Sequence, residues 1–80
     1  MRLPRDLSAQ DLIKALKPLG YEPTRQSGSH IRLTTLQKGE HHITIPNHDP
    51  LRLGTLNALL NDVAAHHSVS RAELTLLLRL

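Results

Sequence analysis

The residues best suited to chemistry lie close together in Gly28-Ser29-His30-Ile31-Arg32. An imidazole with an ordinary pKa of about 6.5 takes up or gives off a proton at neutral pH, so His30 is a candidate general acid or base. Gly28 lets the backbone approach a phosphate closely, and Ser29 adds a small hydroxyl donor. Arg32 follows two residues along as a cation able to hold an anionic oxygen. Spacing alone favours the plainer reading, an exposed strand histidine beside a turn. His48, in Pro46-Asn47-His48, is a second candidate, as partner acid, as phosphate contact or as a solvated loop residue.

Six histidines beside a single aromatic ring, Tyr21, invite a metal reading that geometry opposes. His41 and His42 are adjacent and on a strand point to opposite faces. His66 and His67 on a helix project about 100° apart, whereas a helical zinc pair takes i, i+4 spacing. Without cysteine, a tetrahedral site would have to combine His30 and His42 on one sheet face with further ligands. No metal and no other cofactor is therefore expected, and the paired histidines are expected at the surface.

Lys and Arg number 10 against 7 Asp and Glu, a net +3 with neutral histidines, which mildly favours anionic partners. Arg25, Arg32, Lys38 and Arg52 are candidates for positioning phosphates without reading sequence, or else ordinary solvated surface. Such binding is expected to be weak and salt-sensitive. With one aromatic residue, a sheet that stacks bases on rings is excluded. The absence of cysteine suits a cytoplasmic protein. Met1 to Asp6 lack the apolar stretch of a secretory signal, and no run approaches the roughly 18 apolar residues of a membrane span. A soluble single domain over residues 1–80 is expected.

Local signals divide this chain into elements. Ser8 caps a first helix with Asp11 in its first turn, and Leu7 can staple onto Leu12. Leu12, Ile13, Leu16 and Leu19 share a face until Pro18 and Gly20 stop the helix. The period then becomes two. Tyr21 to Gln26 reads as an edge strand because of Pro23, and Ser27-Gly28 as a tight turn. His30 to Thr35 alternates, with Ile31, Leu33 and Thr35 inward and His30, Arg32 and Thr34 outward. After a loop at Gln37-Lys38-Gly39, His41 to Ile45 sends Ile43 and Ile45 to the core, and Pro46 ends it. Asn47 to Leu53 is a polar connection to a second helix from about Gly54, with Leu56, Leu59, Leu60 and Val63 buried. Ser70-Arg71-Ala72-Glu73 is a second capping box, with Val69 stapling onto Leu74, and Leu74, Leu77 and Leu78 give a last short helix its apolar side. The leucine-rich end, Leu74 to Leu80, leaves apolar surface for a partner or a second copy. The expected fold is α+β, α-β-β-β-α with a three-stranded antiparallel sheet, helices on one face and a short C-terminal helix, as in double-stranded-RNA-binding domains.

Three stretches, Arg25-Gln26-Ser27-Gly28-Ser29-His30, Ile45-Pro46-Asn47-His48 and Leu53-Gly54-Thr55-Leu56-Asn57-Ala58-Leu59-Leu60, together resemble the HicA family of small ribonuclease toxins. Their order and spacing match from the first helix to the second capping box. The resemblance implies an endoribonuclease toxin, an mRNA interferase that cleaves mRNA without a metal and is covered by a HicB-type antitoxin. It implies that His30 is the catalytic residue. The chain departs from many members at Ser27, and from some at Leu53, where those carry a basic residue. A non-catalytic RNA-binding module and an antitoxin-binding module on the same fold are the alternatives. The lysine-free start of the second helix speaks against a double-stranded-RNA binder.

Overall fold

The computed structural model describes residues 6–80; Met1 to Arg5, and with them most of the stretch expected not to be a secretory signal, lie outside the described residues. Ser8 opens α1 (Ala9–Leu16) through a capping box: its hydroxyl accepts the Asp11 N–H at 3.1 Å and its N–H donates to the Asp11 carboxylate at 3.2 Å. These bonds, the Ser8 amide foremost, hold the Asp11 carboxyl below its ordinary range. Leu12, Ile13 and Leu16 are buried on one side. Pro18 lies in a 3-10 turn, Lys17–Leu19, and Gly20 ends it with φ +83°. A Cβ at Gly20 would come within 2.7 Å of Thr35 Oγ1, so space as well as conformation requires glycine there.

Three antiparallel strands follow, β1 (Glu22–Ser27), β2 (His30–Thr35) and β3 (His41–Pro46), in the spatial order β1-β2-β3. Alternation sends Ile31, Leu33, Thr35, Ile43 and Ile45 inward, as the sequence requires. α2 (Leu53–His67) and α3 (Arg71–Leu77) complete the chain. One core joins Leu12 and Leu16 of α1, Leu33 and Ile45 of the sheet, Leu56, Leu60 and Val63 of α2, and Leu74 of α3. The helices therefore cover one sheet face and leave the other to solvent. This is the expected α+β, double-stranded-RNA-binding-domain-like order with an added C-terminal helix. No helix among the described residues is long and apolar enough to cross a membrane.

Leu33 is fully buried at the centre of this core. Leu33→Ala is expected to cost about 2–5 kcal/mol, against roughly 4–12 kcal/mol available to a domain of this size. Urea unfolding should show a lowered midpoint with little change in slope.

Several local expectations are corrected. Tyr21 does not begin the first strand, which runs one residue later and carries no buried side chain. Tyr21 instead sinks into the core, where its phenol needs a polar partner. His41 Nδ1 lies 2.7 Å and His67 Nε2 3.2 Å from its hydroxyl. His67 is consequently buried and His41 mostly so, not at the surface, whereas His42 does face solvent. The turn between β1 and β2 is Gly28-Ser29 rather than Ser27-Gly28, because Ser27 still pairs with His30. In α3 the buried partner of Leu74 is Thr75, whose hydroxyl donates to the Arg71 carbonyl at 2.7 Å. Leu77, expected inside, is half exposed.

Candidate active site

A two-residue turn sets the first catalytic candidate. Gly28 takes φ +58° at its first central position, the left-handed conformation a tight hairpin needs there, while nothing lies where its Cβ would go. The requirement is conformational, and it leaves open space over the turn. His30 opens β2 immediately afterwards and is exposed.

Cross-strand register then arranges the open face in three rows. Ser27, His30 and Pro46 form the first, Arg25, Arg32 and Thr44 the second, and Glu22, Thr34 and His42 the third. A bulge between Pro23 and Arg25 places Arg25, not Thr24, opposite Arg32. Thr24 is turned so that its Oγ1 lies 2.9 Å from Thr34 Oγ1. Two arginines thus stand directly opposite each other, one strand spacing apart, in an arrangement that is destabilising for like charges. Among the described residues the ion pairs are His41–Asp62 and His42–Glu40, and neither arginine takes part. His30 lies one residue pair from these cations, about 7 Å along the strand.

His42 is differently placed. Its Nδ1 is 2.7 Å from Thr34 Oγ1 and its Nε2 2.8 Å from the Glu40 carboxylate, so both ring nitrogens are engaged. It stands four residues along the pairing from His30, about 13 Å, which separates the two as partners on one phosphodiester or one metal. Among the described residues no group of three or more His, Asp or Glu is arranged to hold a metal ion.

The connection after β3 returns to the His30 end. The Asn47 N–H donates to the Ser29 carbonyl at 2.6 Å, and the His48 carbonyl accepts the Ala9 N–H at 3.0 Å, at the start of α1. His48 is therefore exposed beside the Gly28-Ser29 turn, with its main chain pinned between that turn and the helix. Arg52 is the N-cap residue of α2, exposed and further along the same connection. Lys38 is not brought to this end: it lies in the β2–β3 loop, where its ammonium donates to the His67 carbonyl at 3.2 Å. Of the sequence-chosen residues, register brings His30, Arg25 and Arg32 into adjacent rows of the open face, with Gly28 and Ser29 in the turn beside His30 and His48 in the connection tied to that turn. Sequence reasoning passed over Thr44 and Ser27 as neighbours of that cluster, and only the cross-strand register identifies them.

A family model described as the HicA toxin of bacterial toxin-antitoxin matches residues 9–64, which takes in α1, the whole sheet and most of α2. Comparisons with curated proteins and with solved structures gave no significant match. Every residue of the open face described above falls inside the matched segment, and the chain belongs to the HicA family, the toxins of bacterial toxin–antitoxin pairs, each countered by a cognate antitoxin.

Proposed function

We propose that this toxin is an endoribonuclease that cleaves mRNA in the cytoplasm by histidine acid–base chemistry, needs no metal, and is neutralised by a HicB-type antitoxin. The observation that carries the reading is the unneutralised Arg25–Arg32 pair one row from an exposed His30. A protein keeps two like charges face to face where an anion is to be held between them, and a phosphodiester supplies that anion. His30 takes the 2′-hydroxyl proton as the 2′-oxygen attacks phosphorus, and the bond to the 5′-oxygen breaks. Arg25 and Arg32 hold the non-bridging oxygens as charge develops on them. Gly28 and Ser29 leave the turn low and polar enough for the ribose to approach. His48, in the connection that Asn47 ties to the Ser29 carbonyl, is the candidate acid for the leaving oxygen.

The test is incubation of single-stranded RNA with the purified toxin in excess chelator. Cleavage at an undiminished rate is expected. Binding without cleavage would support the alternative, a non-catalytic RNA-binding module, and cleavage that appears only with added divalent ion would overturn the metal-free chemistry.

A further inference from the structure

At the far end of the sheet from His30, the catalytic reading leaves a second histidine cluster unused. Tyr21 precedes β1, His41 opens β3, and His66 and His67 close α2. The rings form a continuous pile: His41 stacks on His66 at 4.3 Å between centroids, His66 meets His67 edge-on at 4.9 Å, and Tyr21 lies edge-on to His41 and His67 at 5.9 and 5.6 Å. Their hydrogen bonds tie three separate parts of the chain together. His66 Nε2–H donates to the carbonyls of Gln37 and Gly39 in the β2–β3 loop, at 3.0 and 3.1 Å. Lys38 of that loop donates to the His67 carbonyl. The Asp62 carboxylate of α2 lies 3.2 Å from His41 Nε2, and Tyr21 bridges His41 and His67.

The proton positions in this chain of bonds follow from donor and acceptor rules. Asp62 takes the Nε2–H of His41, so His41 Nδ1 accepts the Tyr21 O–H, and the Tyr21 oxygen accepts the Nε2–H of His67. Every bond is satisfied with all imidazoles neutral. With a proton on both its nitrogens, His41 would donate through Nε2 to Asp62 and through Nδ1 to the Tyr21 oxygen, and the Tyr21 O–H would turn to His67 Nε2. A further proton on His67 then has no place. The Tyr21 oxygen would then face N–H groups from both sides, and its own proton would have no acceptor. Among the described residues, the charges that act on the cluster are Asp62 and the Lys38 ammonium, so one carboxylate would stand against two imidazoliums and a lysine.

We propose that the Tyr21–His41–His66–His67 cluster is a proton-sensitive latch: it closes the β2–β3 loop and the end of α2 onto the sheet while it carries at most one proton, and opens when acid forces a second. The direction of the pH effect follows from His67, whose pKa is lowered by its burial first and by His66, His41 and Lys38 after that. Above about pH 6.5 both the folded and unfolded chains leave His67 neutral, and the latch contributes fully. Below that, the unfolded chain binds a proton that the folded chain refuses, so stability falls as pH falls, until the lowered folded value is reached. Each such proton lowers the folded-to-unfolded ratio by at most about tenfold per pH unit.

Urea unfolding of the full chain should therefore show the folded-to-unfolded ratio falling between roughly pH 6.5 and 5.5, by up to about fivefold for the one proton refused. His67→Gln, whose amide N–H still reaches Tyr21 but which cannot take a proton, should lose most of that drop. His48→Gln, in the exposed connection, should keep it. Hydrogen exchange of the wild type at the lower pH should quicken at Gly39 and in the last turn of α2 while Ile31 and Ile45 stay protected. A wild-type ratio that does not change over this range overturns the proposal. So does a drop in His67→Gln equal to that of the wild type, or exchange that quickens evenly along the chain. The wild-type slope and exchange pattern decide the matter even if the glutamine variant does not fold.

Discussion

His30→Ala is expected to fold, to bind its antitoxin and to cleave RNA about 10²–10⁴ times more slowly than the wild type, the usual worth of one positioned acid–base group. The imidazole is exposed at the start of β2, so its removal opens no cavity. The main-chain pairing of residue 30 with Ser27 and Pro46 does not depend on the side chain. The structural cost is thus the small loss of strand propensity on going to alanine, a fraction of 1 kcal/mol. Single-turnover cleavage beside a thermal melt separates the two effects. The pH–rate profile adds a second check, because the limb set by a histidine must vanish with it. A variant that cut RNA as fast as the wild type would remove His30 from the mechanism and leave the fold untouched.

What the sequence revealed and what it concealed divide along the range of the interactions. The Ser8–Asp11 capping box, the alternation in Ile31, Leu33 and Thr35, and the helix stop at Gly20 are decided within a few residues, and each was legible. Tyr21 was misread because its place depends on His41, twenty residues on, and His67, forty-six residues on. Nothing local distinguishes a tyrosine that starts a strand from one that anchors a polar network between β3 and the end of α2. The same distance hid the burial of His67, since a paired histidine at a helix end reads as surface until a phenol is brought beneath it. Thr75 displaced Leu77 from the core because a seven-residue helix fits its neighbours by tertiary contact rather than by period.

The open face was only half legible for a related reason. Alternation alone puts His30, Arg32 and Thr34 on one side, but the neighbours across the strands depend on register. The Gly28-Ser29 turn and the bulge at Thr24 fix that register; the sequence places the turn one residue early, at Ser27-Gly28, and shows the bulge only as an unremarkable threonine. Lys38 and Arg25 looked alike as loop-flanking cations. Register puts Arg25 beside Arg32, whereas the β2–β3 loop carries Lys38 to the end of α2.

That pairing yields an expectation in which activity and stability move apart. Arg32→Gln should slow RNA cleavage by about 10²–10³, the cost of removing one donor aimed at developing charge. Its stability should stay level or rise by a few tenths of a kcal/mol, because relief of a directly opposed like-charge pair is worth about that much. Arg25→Gln, at the exposed edge strand, should follow the same pattern more weakly. If the arginines were ordinary solvated surface, neither substitution would change cleavage. If they were structural, through unseen support of the sheet, both would lower the urea midpoint together with the rate. Only a site that holds an anion predicts slower cleavage from a protein that unfolds no more easily. Cleavage rates and urea midpoints measured on the same preparations distinguish the three cases. Restoring charge with Arg32→Lys should recover part of the rate but not all of it, since a lysine presents one point charge where the guanidinium offers a planar fork to two phosphate oxygens.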